Sequence, residues 1–362
     1  MSDARKFSYP KCRLMAGLGN QALLDLLLSR FNAQPVDDVR LSDRSLWSAK
    51  RTTLAAETSV AGKGTYRGRE KRTLTFAPSK RPGWWIRRTD IPEQLDTAVD
   101  IANLWESAGR LVLRSGSPHN YLRMVEHIIA LKAGLGLDNV VLKTNSGDPP
   151  LFDDSSLPMV EAVQKAGIVE TDEDATFLTV KEPLAFCRPK GNRGDNGDFL
   201  LFLPDDGSRR LRLDVAIRWN TVIGQQRIVF DVTPDTFKYG SYARTNATRQ
   251  QYRTVKLLGW TRADWRHLGY DMNNILIHGR RWYGTPRFEL KNAKPAADGR
   301  KGAAQSKFLE PVWHRATLDL LAALALTGPD RFVGTVVSYC AGHTQDCDAV
   351  RALYRNDLLV RA

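Results

Sequence analysis

The chain has 362 residues, 42% hydrophobic and 26% charged, which suits a globular protein of two or three units with real cores. A formal net charge of +13 favours an anionic partner, whether a phosphorylated small molecule, a nucleic acid or an anionic lipid, without choosing among them. The four cysteines are too few for a disulfide scaffold, and no apolar run reaches transmembrane length, so a cytoplasmic protein is expected.

In chain order, residues 13–31 read as a helix rich in leucine, within an N-terminal helical extension spanning 1–50. The "GLGN" inside it follows no strand and lacks the third glycine of a dinucleotide loop. From Arg51 the texture changes to alternating segments: "RTTLAAETSVAGKG", "KRTLTFAPS" and "GWWIRRTD" predict strands. Leu122, Val125, Ile128, Ile129, Leu131 and Leu135 then form a helical face stopped by Gly134 and Gly136, before a strand at "NVVLKTN". A second helix, "LPMVEAVQKAG", ends at Gly167. After about residue 170 the order recurs, with strands at "TFLTVKEPLAF", "DFLLFLP", "LRLDVAIRW" and "QRIVFDVT" before further helices. Strands followed by helices, twice, predict an α+β fold of two domains, 51–170 and 171–362, meeting at an interface. Residues 291–308, rich in Ala, Gly and Lys, read as a mobile insertion in the second.

Late in the chain, "PVWHRATLDLLAAL" has a helix's apolar rhythm and two residues able to hold a metal, His314 and Asp319. They are five apart, so a regular helix would set them about 140° from each other. Closer to the C-terminus, Cys340 and Cys347 flank His343, a conceivable metal knot, although buried free cysteine is the commoner outcome.

The run Met124–Gly167, with Glu126, His127, Ala133–Gly136, Asp138, Asn139, Asn145, Asp153 and Ser155, resembles the zinc-dependent UDP-3-O-acyl-N-acetylglucosamine deacetylases of lipid A synthesis. "TPDTFKYGSYARTN" and "SYCAGHTQD" are similar to later motifs of the same family, and the resemblance extends over about residues 51–362. It implies two similar domains, each a mainly antiparallel sheet with two helices, the helices between the sheets and the site at the domain interface. It also implies a Zn²⁺ enzyme that hydrolyses an N-acyl group on an amino sugar, free or nucleotide-linked, and the basic charge would suit the nucleotide-linked form. On that resemblance His127 is a zinc ligand and Glu126 the base. His343 is an acid or electrostatic partner, and Thr245 bonds the tetrahedral intermediate. Where the family has phenylalanine after that threonine, this chain has Asn246.

The family's remaining ligands are a histidine and an aspartate four residues on, with a lysine directly after the histidine. Aligned without a gap on Asp319 and Gly328, the histidine slot holds Arg315, the lysine slot Ala316, and a later aspartate becomes Ala323. The alternative keeps His314 and Asp319 as ligands and puts Arg315 in the lysine's place as an oxyanion stabiliser. It requires a π-bulge, which inserts one residue into a turn and brings i and i+5 to one face. Without that bulge the chain would be a metal-free relative that binds a nucleotide-sugar, a nucleic acid or a protein.

Overall fold

The computed structural model describes residues 7–15, 19–43, 47–190, 196–259, 267–291 and 307–362. The expected mobile insertion at 291–308 therefore lies, except for its ends, outside the described residues. Among the described residues, no helix is long and apolar enough to cross a membrane.

Two sheets dominate. The first has six strands in the order Pro150–Leu151, Thr58–Gly64, Lys71–Pro78, Val140–Thr144, Trp84–Arg88 and Asp96–Ala98. The second has seven: Arg13–Leu14, Leu184–Pro189, Gly197–Leu203, Gly334–Tyr339, Leu211–Arg218, Gln225–Asp231 and Asp38–Arg40. Without the short edge strands Pro150–Leu151, Arg13–Leu14 and Asp38–Arg40, the same five-strand pattern remains in both. Two antiparallel pairs are joined by a strand that arrives last in sequence, antiparallel to one neighbour and parallel to the other. In each sheet that last strand is preceded by one helix and followed by another.

Among the described residues the α-helices are α1 (Gln21–Asn32), α2 (Glu126–Leu135), α3 (Leu157–Ala166), α4 (Pro234–Ser241) and α5 (Arg249–Leu258), followed by two more. One is interrupted: α-helical over Glu310–His314, π-helical over Arg315–Leu320 and α-helical again over Leu321–Ala325. The other is the C-terminal helix, His343–Arg355.

Local sequence explains most boundaries. Helix α2 ends at Gly136, which adopts φ 60° and donates to the Lys132 carbonyl, the left-handed stop expected of a glycine there. Its start differs from the apolar rhythm. Leu122 belongs to a strand, Tyr121–Arg123, and Met124 takes φ 49°, so the helix cannot begin before Glu126. Helix α4 opens on a capping box between Thr233 and Thr236 with Pro234 in its first turn. The expected helix over 13–31 begins only at Gln21, where the Asn20 side chain accepts from the Leu23 N–H; Arg13–Leu14 is a strand instead.

Helix α2 sits in the middle of one continuous core. Ile128, Ile129, Ala130 and Leu131 are buried with Phe76 and Val140 of the first sheet, Val215 and Phe230 of the second, and Val312 and Trp313 of the interrupted helix. Alternation along a strand sends neighbouring side chains to opposite faces. Leu200 and Phe202 thus join this core, while Phe199 and Leu201 form a second one with Leu24, Leu27 and Phe31 of α1 on the sheet's other face. Two glycines set how closely the central helices approach. A Cβ at Gly134 would lie 2.1 Å from the Phe237 ring, and one at Gly240 would lie 2.3 Å from the Thr317 side chain. Helix α4 is thereby pressed against α2 and against the π-helical turn.

Candidate metal and catalytic centre

The π-helical turn decides which side chain meets His127. Across it, His314 Nε2 lies 3.1 Å from His127 Nε2, while Arg315 is directed elsewhere. Thr245 Oγ1, on the strand that follows α4, is 3.1 Å from each of the same two nitrogens. Thr245 is held there by its neighbour. The Arg244 guanidinium pairs with Glu310 at 2.8 Å and donates to the carbonyls of Asn273 and Thr285, and Glu310 opens the helix that carries His314. Arg244 and Glu310 are both buried, so the pair anchors strand to helix in a low-dielectric setting.

On the other side, Asp319 Oδ1 lies 3.6 Å from His314 Nδ1 and 3.5 Å from His343 Nε2. Neither contact is a hydrogen bond, and this buried oxygen has no hydrogen-bond partner among the described residues. His343 is the first residue of the C-terminal helix, after Gly342. Glu126, the first residue of α2, is 3% exposed, and its Oε2 accepts from the Leu111 N–H at 3.0 Å. Ser155 Oγ, in a residue at φ 56°, stands 3.4 Å from His127 Nδ1.

Burial sets the protonation states. It pushes His127 down to about 3 and lowers His314, so both imidazoles are neutral and can present a lone pair. Burial likewise raises the Glu126 carboxyl, making it a stronger base than an exposed glutamate. For His343 burial opposes the charge, but Asp319, Glu126 and Asp346 outweigh it and raise the imidazole above its usual value. For Asp319 burial alone would raise the carboxyl; His343, His314 and Arg315 hold it below the ordinary range.

Arg315 is turned away from this cluster. Its Nη2 donates to Asp346 Oδ1 at 2.6 Å and to Ser338 Oγ at 3.2 Å, and its Nε donates to the Ala341 carbonyl at 2.9 Å. Ala341 lies two residues before His343 and Asp346 three after it, so the guanidinium ties the π-helical turn to the segment carrying His343. Sequence reasoning assigned nothing to Asp346. The available signal was its place one helical turn beyond His343 in "GHTQD".

The donor set fits a zinc-like ion in type and partly in spacing. Two ligands at about 2.0–2.1 Å from a tetrahedral ion are about 3.3 Å apart, close to the 3.1 Å between the two Nε2 atoms. Neutral imidazoles and an unsatisfied buried carboxylate oxygen are what such an ion requires. The third donor has not converged: among the described residues no three His, Cys, Asp or Glu side chains are grouped to hold an ion. The nitrogen spacing and the orphaned oxygen weigh more, because a buried carboxylate oxygen without a hydrogen-bond partner is uncommon in a folded protein.

Comparison with known proteins places the chain in a family. A family model described as UDP-3-O-acyl N-acetylglycosamine deacetylase matches residues 51–292, a span that contains Glu126, His127 and Thr245 and stops before His314. Proteins of Brucella ovis, Brucella canis and Brucella melitensis biotype 2, each named UDP-3-O-acyl-N-acetylglucosamine deacetylase, are 26% identical to the chain over 312 residues, 86% of this chain and 97% of their own length. With an α+β fold and a family match over most of its length, the chain belongs to the UDP-3-O-acyl N-acetylglycosamine deacetylase family of amide-hydrolysing enzymes.

Proposed function

We propose that the chain removes the N-acyl group of a UDP-linked, 3-O-acylated amino sugar, with zinc held by His127, His314 and Asp319. The observation that carries this reading is the junction made by the π-helical turn, which sets the His314 and His127 Nε2 atoms 3.1 Å apart beside Glu126. Bound there, the ion would supply Lewis-acid polarisation of the amide carbonyl.

The chain's own residues account for the proton movements. Glu126, its carboxylate fixed by the Leu111 N–H and its basicity raised by burial, takes the proton of the attacking water. The Thr245 hydroxyl, beside both imidazoles, donates to the oxygen on which negative charge develops. His343, kept protonated by the carboxylates around it, gives its proton to the departing amine. Arg315 acts through His343 rather than on the substrate, because its Nε and Nη2 are engaged by Ala341, Ser338 and Asp346, which hold the guanidinium against the segment that carries His343. The net charge of +13 suits a diphosphate-bearing substrate.

Metal content of the purified protein tests the reading, together with acetate release from a UDP-3-O-acyl-N-acetylglucosamine. Stoichiometric zinc in the wild type, lost in both His127→Ala and His314→Ala, is the expected result. A protein that takes up no zinc after reconstitution would sink it. Zinc retained by His314→Ala but lost by His127→Ala would remove His314 from the ligand set.

A further inference from the structure

Two arginines on the Glu126 side of the centre take no part in the chemistry above. Arg110 directly precedes Leu111, whose N–H holds Glu126, and Arg123 lies three residues before Glu126. Both guanidinium groups gather on one ring, their central carbons 5.8 and 4.1 Å from the centroid of Tyr66. The Tyr66 hydroxyl accepts from Arg110 Nη1 at 3.2 Å. Tyr66 follows Thr65, which lines the same pocket as Met124, His127 and Thr245.

The two cations are incompletely matched. Arg110 is paired with Glu106 at 2.9 Å, but its Nε is buried without a partner. Among the described residues, no hydrogen bond or ion pair engages the Arg123 side chain; it rests on the faces of Tyr66 and Tyr121, and its Nε is also buried and unpartnered. Arg88 of the same half is different: its Nε and Nη2 both donate to the Asp90 carboxylate, each at 2.6 Å. A half-buried guanidinium without a counter-ion bears a desolvation cost that an arriving anion would relieve. Its planar fork matches a carboxylate or phosphate, and the ring beneath holds it in place beforehand.

We propose that Arg110 and Arg123 form an oxyanion subsite on the Glu126 side of the centre, taking a phosphate or carboxylate of the substrate. The deacetylase reading is needed only to say that this anion belongs to the molecule whose amide is cleaved. Two sources supply the same chemistry: the diphosphate of a nucleotide-sugar, or a separate carboxylate carried by the sugar or acyl part.

Calorimetric titration of the full chain at low ionic strength, with UDP and with D-glucuronate as probes, tests the subsite in wild type, Arg110→Gln and Arg123→Gln. The expected result is that Arg123→Gln weakens one probe about tenfold. Loss confined to UDP identifies the diphosphate, and loss confined to glucuronate identifies a second acidic group. If Arg110→Gln unfolds because Glu106 is left unpaired, Arg123→Gln alone decides, since the Arg123 side chain makes no hydrogen bond among the described residues. Neither probe binding the wild type, or both binding Arg123→Gln equally well, overturns the subsite. Acetate release measured in parallel keeps the two readings apart. A protein that binds through Arg123 yet releases no acetate keeps the subsite and loses the deacetylase reading, and an active enzyme indifferent to Arg123 does the reverse.

Discussion

Replacing Arg315 by methionine should destabilise the fold strongly, and the structure says why. The Asp346 side chain is fully buried, its Oδ1 is 2.6 Å from Arg315 Nη2, and its Oδ2 already has no partner. Removing the guanidinium leaves a buried carboxylate uncompensated, a change that costs about 3–5 kcal/mol. Removing both charges in Arg315→Met/Asp346→Leu avoids that penalty, because well-packed apolar side chains replace a buried pair at little net cost. The double variant should therefore recover most of the loss, with a coupling energy of about 2–3 kcal/mol. The assay is a double-mutant cycle from urea unfolding at pH 7 in the presence of a chelator, so that metal binding does not add to the stability measured. A single substitution costing under about 1 kcal/mol, or a double variant as unstable as the sum of the singles, would refute the argument. A stable Arg315→Met that had lost kcat alone would place Arg315 on the reacting atoms instead.

Lys132 is buried beside the carbonyls of Ala325 and Asp330, and burial pushes its amine down to about 8. Below that value the folded state holds a buried charge. Between about 8 and 10.5 the unfolded chain binds the extra proton, so stability should rise with pH by up to about 3 kcal/mol relative to Lys132→Met. Unfolding curves of the two proteins that run parallel from pH 7 to 10 would contradict this. At Gly134, alanine is the better helix former by about 1 kcal/mol, yet its Cβ would meet the Phe237 ring at 2.1 Å. Gly134→Ala should cost about 1–3 kcal/mol and, by displacing α4 and the threonine beyond it, weaken zinc binding; a variant as stable as the wild type would show that the helices can part freely.

How much of this was legible varies from element to element. The stop of α2 at Gly136 could be read because the cause is local: a left-handed residue where only glycine is unstrained. Its start could not, because Met124 adopts a left-handed conformation that its own side chain disfavours, and the apolar rhythm runs on through the strand before it. The five-residue gap between His314 and Asp319 pointed to a bulge without choosing it over a regular helix carrying Arg315. The choice lies in what faces the turn: Asp346, Ser338 and the Ala341 carbonyl take the guanidinium, which leaves His314 for His127. Those partners come from a strand and a helix 23 to 31 residues further on, beyond the reach of any local pattern. The same limit hid the fate of the first 40 residues, whose strands could be recognised only beside the sheet they join.

Those early residues have a consequence for how the protein behaves among its own copies. Arg13–Leu14 and Asp38–Arg40 cap the two opposite margins of the seven-stranded sheet, and α1 between them covers its outer face. An open margin is a template on which another chain can add a strand. Here each margin ends in two or three residues of parallel strand, too short to recruit much, and one continuous stretch of chain seals both. The segment thus works as a collar, and its loosening would first be seen as self-association, with the distant His127–His314 junction still assembled.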